Sequence, residues 1–349
     1  DGQAVTCDDF AQAIADANPH SDLARLLPQF KRWYSQAGTP RLAARGHYDA
    51  AERSYTLHFE QSCAPTPGQA DKEAFVIPVN VGLIAADGRE LAPTQTLVVT
   101  QAGETFTFAD IEAEPVPSIL RGFSAPVILD HDYSDAQLLT LLAHDTDPFN
   151  RWEAGQRLAL RAAVTAITAP PAEGAGTALS EAFIGAMRSL LRDPQLDAAF
   201  KELVLTLPSE TYIAEQLDVV DPQRVHAVRE AMRARMAGAL QSEWQQAYEE
   251  NKDTGAYEPD PTSSGRRALA GMALSHLCLA ARETGDTVWP GKTLQRFKDA
   301  GNMTDRFNAL QALVSSGHAL AAQALASFHA IFKDEALVID KWFALQAGA

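Results

Sequence analysis

The sequence predicts a multidomain chain in which a short helical segment leads into a small β-sandwich, followed by an all-α helical array of α-solenoid type. Three observations predict it. Across residues 41–129 apolar residues recur with period two, as in residues 54–60, where Tyr55, Leu57 and Phe59 alternate with Thr56, His58 and Glu60. Beyond Asp130 the pattern becomes helical and stays so to the end. The 349 residues exceed one ordinary core, so two or three domains are expected.

The elements follow in order. Thr6 and Asp9 sit where an N-cap and its reciprocal partner belong, with Phe10, Ala13, Ile14 and Ala17 on one helix face behind them. A second helix is expected over 23–33, broken or begun near Pro28, and residues 35–40 end the segment. Strands are expected at 54–60, 75–85, 97–100 and 105–108. Asp87-Gly88 serves as a hairpin turn, Pro115 and Pro117 mark an edge or turn, and residues 123–129 close the sheet set. Six or seven short strands with turns every 8 to 15 residues read as a sandwich. Residues 64–72 read as a loop. Helices are expected to start at Ser134, at Asp147-Pro148, and near Ser180, Pro194, Ser209, Asp221-Pro222, Ser264, Lys292, Thr304 and His318, with a loop over 170–176. No fixed repeat period is present. The domain expectation is 1–38, 39–132 and 133–349.

Composition bounds the function classes. With 29 Lys and Arg against 45 Asp and Glu, the net charge is −16, which argues against nucleic acid and anionic membranes as partners. The three cysteines, Cys7, Cys63 and Cys278, are far apart and form no C-x-x-C pair, which suits free thiols in a cytoplasmic protein. No run of 18 apolar residues predicts a membrane helix, and no secretory leader pattern opens the chain.

The search for chemistry assigns no catalytic, cofactor-binding or metal-ligating residue. The nine histidines, His20, His47, His58, His131, His144, His226, His276, His318 and His329, include none followed by Glu, so H-E-x-x-H is absent. The densest acid–histidine group is Asp130-His131-Asp132 with Asp135. Carboxylates there could hold a cation, whereas its place at a strand-to-helix junction favours capping. Ser264-Gly265 lies in a polar stretch read as a turn, and no G-x-S-x-G elbow or phosphate-cradling glycine loop occurs. Cys278 stands two residues after His276, a spacing that does not face the pair on a helix, so both read as core. Trp152, Trp244, Trp289 and Trp342 read as core anchors, and Glu249-Glu250 and Asp334-Glu335 as solvated acidic ends. By itself this reading favours a binding or scaffolding protein.

Longer stretches carry a resemblance. Asp1-Gly-Gln-Ala-Val-Thr-Cys-Asp-Asp-Phe10, Phe30-Lys-Arg-Trp-Tyr-Ser-Gln-Ala-Gly-Thr-Pro40, Phe123-Ser-Ala-Pro-Val127, Phe149-Asn-Arg-Trp-Glu-Ala154, Gly301-Asn-Met-Thr-Asp305 and Asp340-Lys-Trp-Phe343 occur in that order. Together they resemble bacterial aminopeptidase N, a zinc aminopeptidase, from the end of its catalytic domain into its helical C-terminal domain. The resemblance implies a zinc held upstream by an H-E-x-x-H motif and a further Glu, a G-A-M-E-N loop for the substrate amine, and more helices beyond Ala349. None of those motifs is present here, so no site residue carries over and no cofactor is expected in this chain. What the resemblance implies is a non-catalytic part, inactive alone. Its partners would be the catalytic domain and, in the parent, peptides. Its helical domain would cover the active-site cavity, with an acidic wall attracting the peptide's amino end. The alternative is a stand-alone scaffold with a sandwich module.

Overall fold

The computed structural model describes residues 2, 4–169, 179–252 and 255–348. The loop expected over 170–176 lies outside them. The chain divides into two compact units, Asp1–Ala154 and Gly155–Ala349.

The first unit opens with α1 (Cys7–Ala17), α2 (Asp22–Phe30) and the one-turn α3 (Arg32–Ser35). The capping box forms as the sequence predicts: the Asp9 amide donates to Thr6 Oγ1, and the Thr6 amide donates to Asp9 Oδ2 at 2.8 Å. That bonding to Thr6 holds the Asp9 carboxyl below the ordinary carboxylate range. The face that packs differs from the expected one. Ala11 and Ala15 are buried against Leu27, while Phe10 and Ile14 are 62% and 37% exposed. Small residues let α1 lie close to α2, and the bulkier apolar pair is left outward. Pro28 sits in the last turn of α2 instead of starting a helix. The segment is fastened to the sheets by side chains: Trp33 Nε1 donates to the Val76 carbonyl at 2.8 Å, its ring lies 4.7 Å from that of Phe75, and Gln29 donates to the Thr100 carbonyl.

Seven strands follow among the described residues: β1 (Arg41–Asp49), β2 (Ser54–Ser62), β3 (Ile77–Ile84), β4 (Glu90–Val99), β5 (Gly103–Phe108), β6 (Val116–Ile119) and β7 (Ile128–Asp130). They form a four-stranded sheet, β5-β2-β1-β7, and a three-stranded sheet, β4-β3-β6. All pairings are antiparallel except β1 with β7. The core joins Leu42, Leu57 and Phe59 of one sheet to Ile77, Val79, Val81 and Leu83 of the other, all without measurable exposure. Alternation on β2 is what the period-two pattern predicts. β3 is buried on almost every residue because structure covers both its faces. Pro117 falls in β6, an edge strand, where its missing amide disrupts no ladder. At the β3–β4 turn Gly88 has φ +88°, and a Cβ there would lie 2.7 Å from the His144 ring, so glycine is required twice over.

Helix α4 (Asp135–His144) starts at a second capping box, Ser134 with Gln137, and α5 (Pro148–Thr168) starts under Asp147, whose carboxylate accepts from the Asn150 amide at 2.9 Å. Between sandwich and helices lies a buried polar knot. Arg121 donates from Nε to Ser118 Oγ (2.9 Å), from Nη1 to Thr94 Oγ1 (2.8 Å) and from Nη2 to Asp145 Oδ1 (3.0 Å). Ser118 in turn donates to Asp145 Oδ2, and Asn150 Nδ2 donates to Ser118 Oγ. Gly82 makes room for the guanidinium, since a Cβ there would meet it at 2.3 Å.

The second unit continues with α6 (Glu181–Arg192), α7 (Ala198–Leu205), α8 (Glu210–Ala214), α9 (Pro222–Ala239), α10 (Gln241–Asn251), α11 (Pro261–Thr284), α12 (Val288–Asp299), α13 (Met303–Ser315), α14 (Leu320–Phe332) and α15 (Ala336–Ala347). Ser180, Ser209 and Asp221 cap helices where the sequence predicts. The Pro194 start falls instead at Asp197, which caps α7. The stretch containing Ser264-Gly265 is the first turn of α11 and not a free turn: Asp260 accepts from the Ser263 amide at 3.0 Å and Pro261 occupies the first helical position. α11 is buried along most of its circumference, with Ala268, Met272, Ser275 and His276 half-buried on one stripe, and packs on α7, α9, α10, α12 and α13. Close approach depends on two glycines, Gly265 against Ala199 of α7 and Gly271 against Asn308 of α13.

Candidate functional site

The residues singled out in the sequence disperse. His131 Nδ1 is 2.8 Å from the Ala44 carbonyl and its ring stacks edge-on against Tyr133, which ties it to the strand-to-helix junction. Cys278 is buried, with Sγ 3.2 Å from Thr293 Oγ1, and burial pushes its thiol up to about 11, so it is a packing residue with no thiolate character. Trp244 and Trp289 are core residues as expected. Glu249, Glu250, Asp334 and Glu335 are exposed. Among the described residues no group of three His, Cys, Asp or Glu side chains converges as a metal site. The sequence likewise carries no H-E-x-x-H.

His276 behaves differently from Cys278. Its ring lies flat on that of Trp244, with centroids 4.2 Å apart and planes 18° from parallel. Nδ1 is 3.0 Å from the Met272 carbonyl. A carbonyl only accepts, so Nδ1 carries the proton and Nε2 is left as an acceptor. Burial pushes the imidazole down to about 4, opposed by the Met272 bond and reinforced by the Arg233 charge, so the ring is neutral at pH 7.

His276 lines a cavity of about 460 Å³ in the helical unit. That size suits a small-molecule site. Its walls come from alternate helices: α7 supplies Glu202 and Leu205, α9 Arg229 and Arg233, α11 Met272, Ser275 and His276, α13 Asn308, Gln311 and Ser315, and α15 Leu345. In a two-layered array every second helix belongs to the same layer, so the cavity marks one face of the array. The expected acidic wall is not what this face presents. Two arginines stand there against a single acid, Glu202, whose carboxyl burial pushes up, with the Thr206 hydrogen bond opposing. Burial and then the Arg233 charge hold Arg229 below the usual arginine range. Sequence reasoning missed this site because its members spread over residues 202–348 without a motif. The one available signal was an i, i+4 arginine pair on α9.

Comparisons with known proteins agree with this architecture. Residues 38–132 match a family described as "Domain of unknown function (DUF3458) Ig-like fold". Residues 135–349 match "Domain of unknown function (DUF3458_C) ARM repeats". The chain is 35% identical over 355 residues to aminopeptidase N of Escherichia coli (strain K12), and 39% identical over 346 residues to aminopeptidase N of Caulobacter vibrioides. Each match covers 99% of this chain and 39% of the relative. A crystal structure of Legionella pneumophila aminopeptidase A in complex with aspartic acid superposes with a TM-score of 0.81 at 27% identity, over 99% of this chain and 39% of that one. The class is therefore an Ig-like domain followed by an ARM-repeat helical domain. More particularly, the chain belongs to the DUF3458_C family and is homologous to the C-terminal, non-catalytic part of bacterial aminopeptidase N. It spans about two fifths of the length of the curated relatives it matches. Among the described residues no helix is long and apolar enough to cross a membrane.

Proposed function

We propose that this chain serves a cytoplasmic zinc aminopeptidase as its non-catalytic part, with the helical layer of α7, α9, α11, α13 and α15 facing the peptide and limiting which substrates reach the zinc. The observation that carries the reading is the polar cavity on that one layer, in a chain homologous to aminopeptidase N. The sandwich acts as a spacer that holds the array over the catalytic domain. The catalytic domain is the partner that would cover Val5, Phe10 and Ile14 of the first helical segment, which are 71%, 62% and 37% exposed. Zinc and the hydrolytic residues are supplied by the rest of the parent enzyme. Three free cysteines suit a reducing compartment.

Two measurements test this. The chain alone is expected to bind no stoichiometric zinc and to leave alanyl and leucyl chromogenic substrates uncleaved. In the full-length parent, filling the cavity wall with Ser275→Trp is expected to lower kcat/KM for hexapeptides at least tenfold more than for an alanyl chromogenic substrate. Equal losses for both substrates would remove the size-limiting role.

A further inference from the structure

The cavity contains polar groups that the fold does not use. Arg229 donates from Nε to the Pro208 carbonyl at 2.8 Å, and its two terminal nitrogens have no hydrogen-bond partner among the described residues. Arg233 donates from Nη1 to Glu230 Oε1 at 2.6 Å, with its other nitrogens unpartnered among the described residues. The side chains of Ser275 and Gln311 likewise make no hydrogen bond to a described residue, and His276 Nε2 remains an acceptor. Two partly buried guanidiniums one helical turn apart repel each other, and an anion between them relieves both.

The charge balance selects the anion. Glu230 paired with Arg233, and Glu202 in the same wall, already offset part of the two guanidinium charges, which favours a monoanion over a phosphate dianion. A guanidinium fork matches the two oxygens of a carboxylate. Apart from Glu202, whose carboxyl burial pushes up, the rest of the wall carries no charge: hydroxyls, amides, an uncharged imidazole, and the apolar Leu205, Leu207 and Met272. Two guanidiniums lining one cavity in a chain whose net charge is −16 set this site apart from the general surface.

We propose that the cavity is a carboxylate-binding site, in which Arg229 and Arg233 hold the single carboxylate of an amino-acid- or short-peptide-sized ligand while Ser275 and Asn308 meet its neutral part. In the enzyme proposed above, which this inference rests on, the ligand is a peptide held by its carboxyl end or a released amino acid. The selected ligand end is thus opposite to the one an acidic wall would attract.

The test uses the 349-residue chain, without zinc or catalysis, so its failure is separate from failure of the size-limiting role, which is read from cleavage by the full-length parent. Tri-alanine, tri-alaninamide, free alanine and inorganic phosphate are titrated against the chain at pH 7 and low ionic strength, with binding followed by NMR of the His276 ring. Tri-alanine is expected to bind saturably, and tri-alaninamide at least tenfold more weakly. Arg229→Gln is expected to reduce tri-alanine binding to the level of the amide. Should that variant fail to fold, Arg233→Gln and the comparison of acid with amide on the unaltered chain still decide. Alanine binding as tightly as tri-alanine identifies the free amino acid as ligand, and tri-alanine binding more tightly identifies the peptide end. Equal binding of acid and amide, preference for phosphate, or no saturable binding would overturn the proposal.

Discussion

Arg121 and Asp145 form an ion pair of 3.0 Å with side chains 6% and 0% exposed, linking the turn after β6 to the C-cap of α4. Breaking a buried pair from one side leaves the other charge without compensation, which costs about 3–5 kcal/mol. Asp145→Ala is therefore expected to destabilise the first unit by that amount in urea unfolding. The double variant Arg121→Met with Asp145→Leu is expected to cost less than the sum of the single changes. A loss below about 1 kcal/mol for Asp145→Ala would show that the pair is not holding the junction.

The glycines of the helical unit separate into those that permit contact and those that do not. A Cβ at Gly265 would lie 2.8 Å from the Ala199 amide nitrogen, and backbone cannot rotate away as a side chain can. Gly265→Ala is expected to force α7 and α11 apart at about 1–3 kcal/mol. Gly185, inside α6, has nothing within 4 Å of the same position. Gly185→Ala is expected to stabilise by up to about 1 kcal/mol through helix propensity. Thermal midpoints that move in opposite directions would bear this out, and a neutral Gly265→Ala would contradict it.

The neutral His276 ring makes stability depend on pH. Its folded value of about 4 lies below the unfolded value near 6.5, so between these the unfolded chain binds the extra proton. The stabilisation is fully present above about pH 6.5 and is lost as pH falls toward 4, reaching about 3 kcal/mol, at 1.36 kcal/mol per unit. His276→Phe, which keeps a ring on Trp244, is expected to flatten that part of the stability curve. In the unaltered chain the imidazole resonances are expected to show the neutral form at pH 5.5, and a protonated ring there would defeat the assignment.

Much of the fold was legible because its signals are local. Thr6 with Asp9, Ser134 with Gln137, Asp147-Pro148 and Asp221-Pro222 each satisfy orphan amides within one turn, so each can be read from four residues. Asp260-Pro261 carries the same signature as Asp221-Pro222, yet the serines and glycine that follow read as a turn until the burial of Gly265 against α7 is seen. Where the N-cap residue itself makes no side-chain bond, the sequence leaves the start unmarked: α12 begins at Val288, short of Lys292, α14 at Leu320, just after His318, and nothing marks the starts of α10 and α15. The outward Phe10 and Ile14 show the opposite failure, in which periodicity names an apolar face but not which face finds a neighbour within the chain. The cavity was illegible for a geometric reason. Its arginines, histidine and amides sit on alternate helices, and only the stacking of the layer brings them together.

The central position of α11 changes what kind of object the helical unit is. In a simple repeat array each hairpin touches only the next, so stability propagates stepwise and repeats can be gained or lost by duplication. Here one 24-residue helix is shared by α7, α9, α10, α12 and α13. Removing any of these withdraws a wall from the same axle, so this unit unfolds as a cooperative block and its length is fixed against evolutionary growth from the middle.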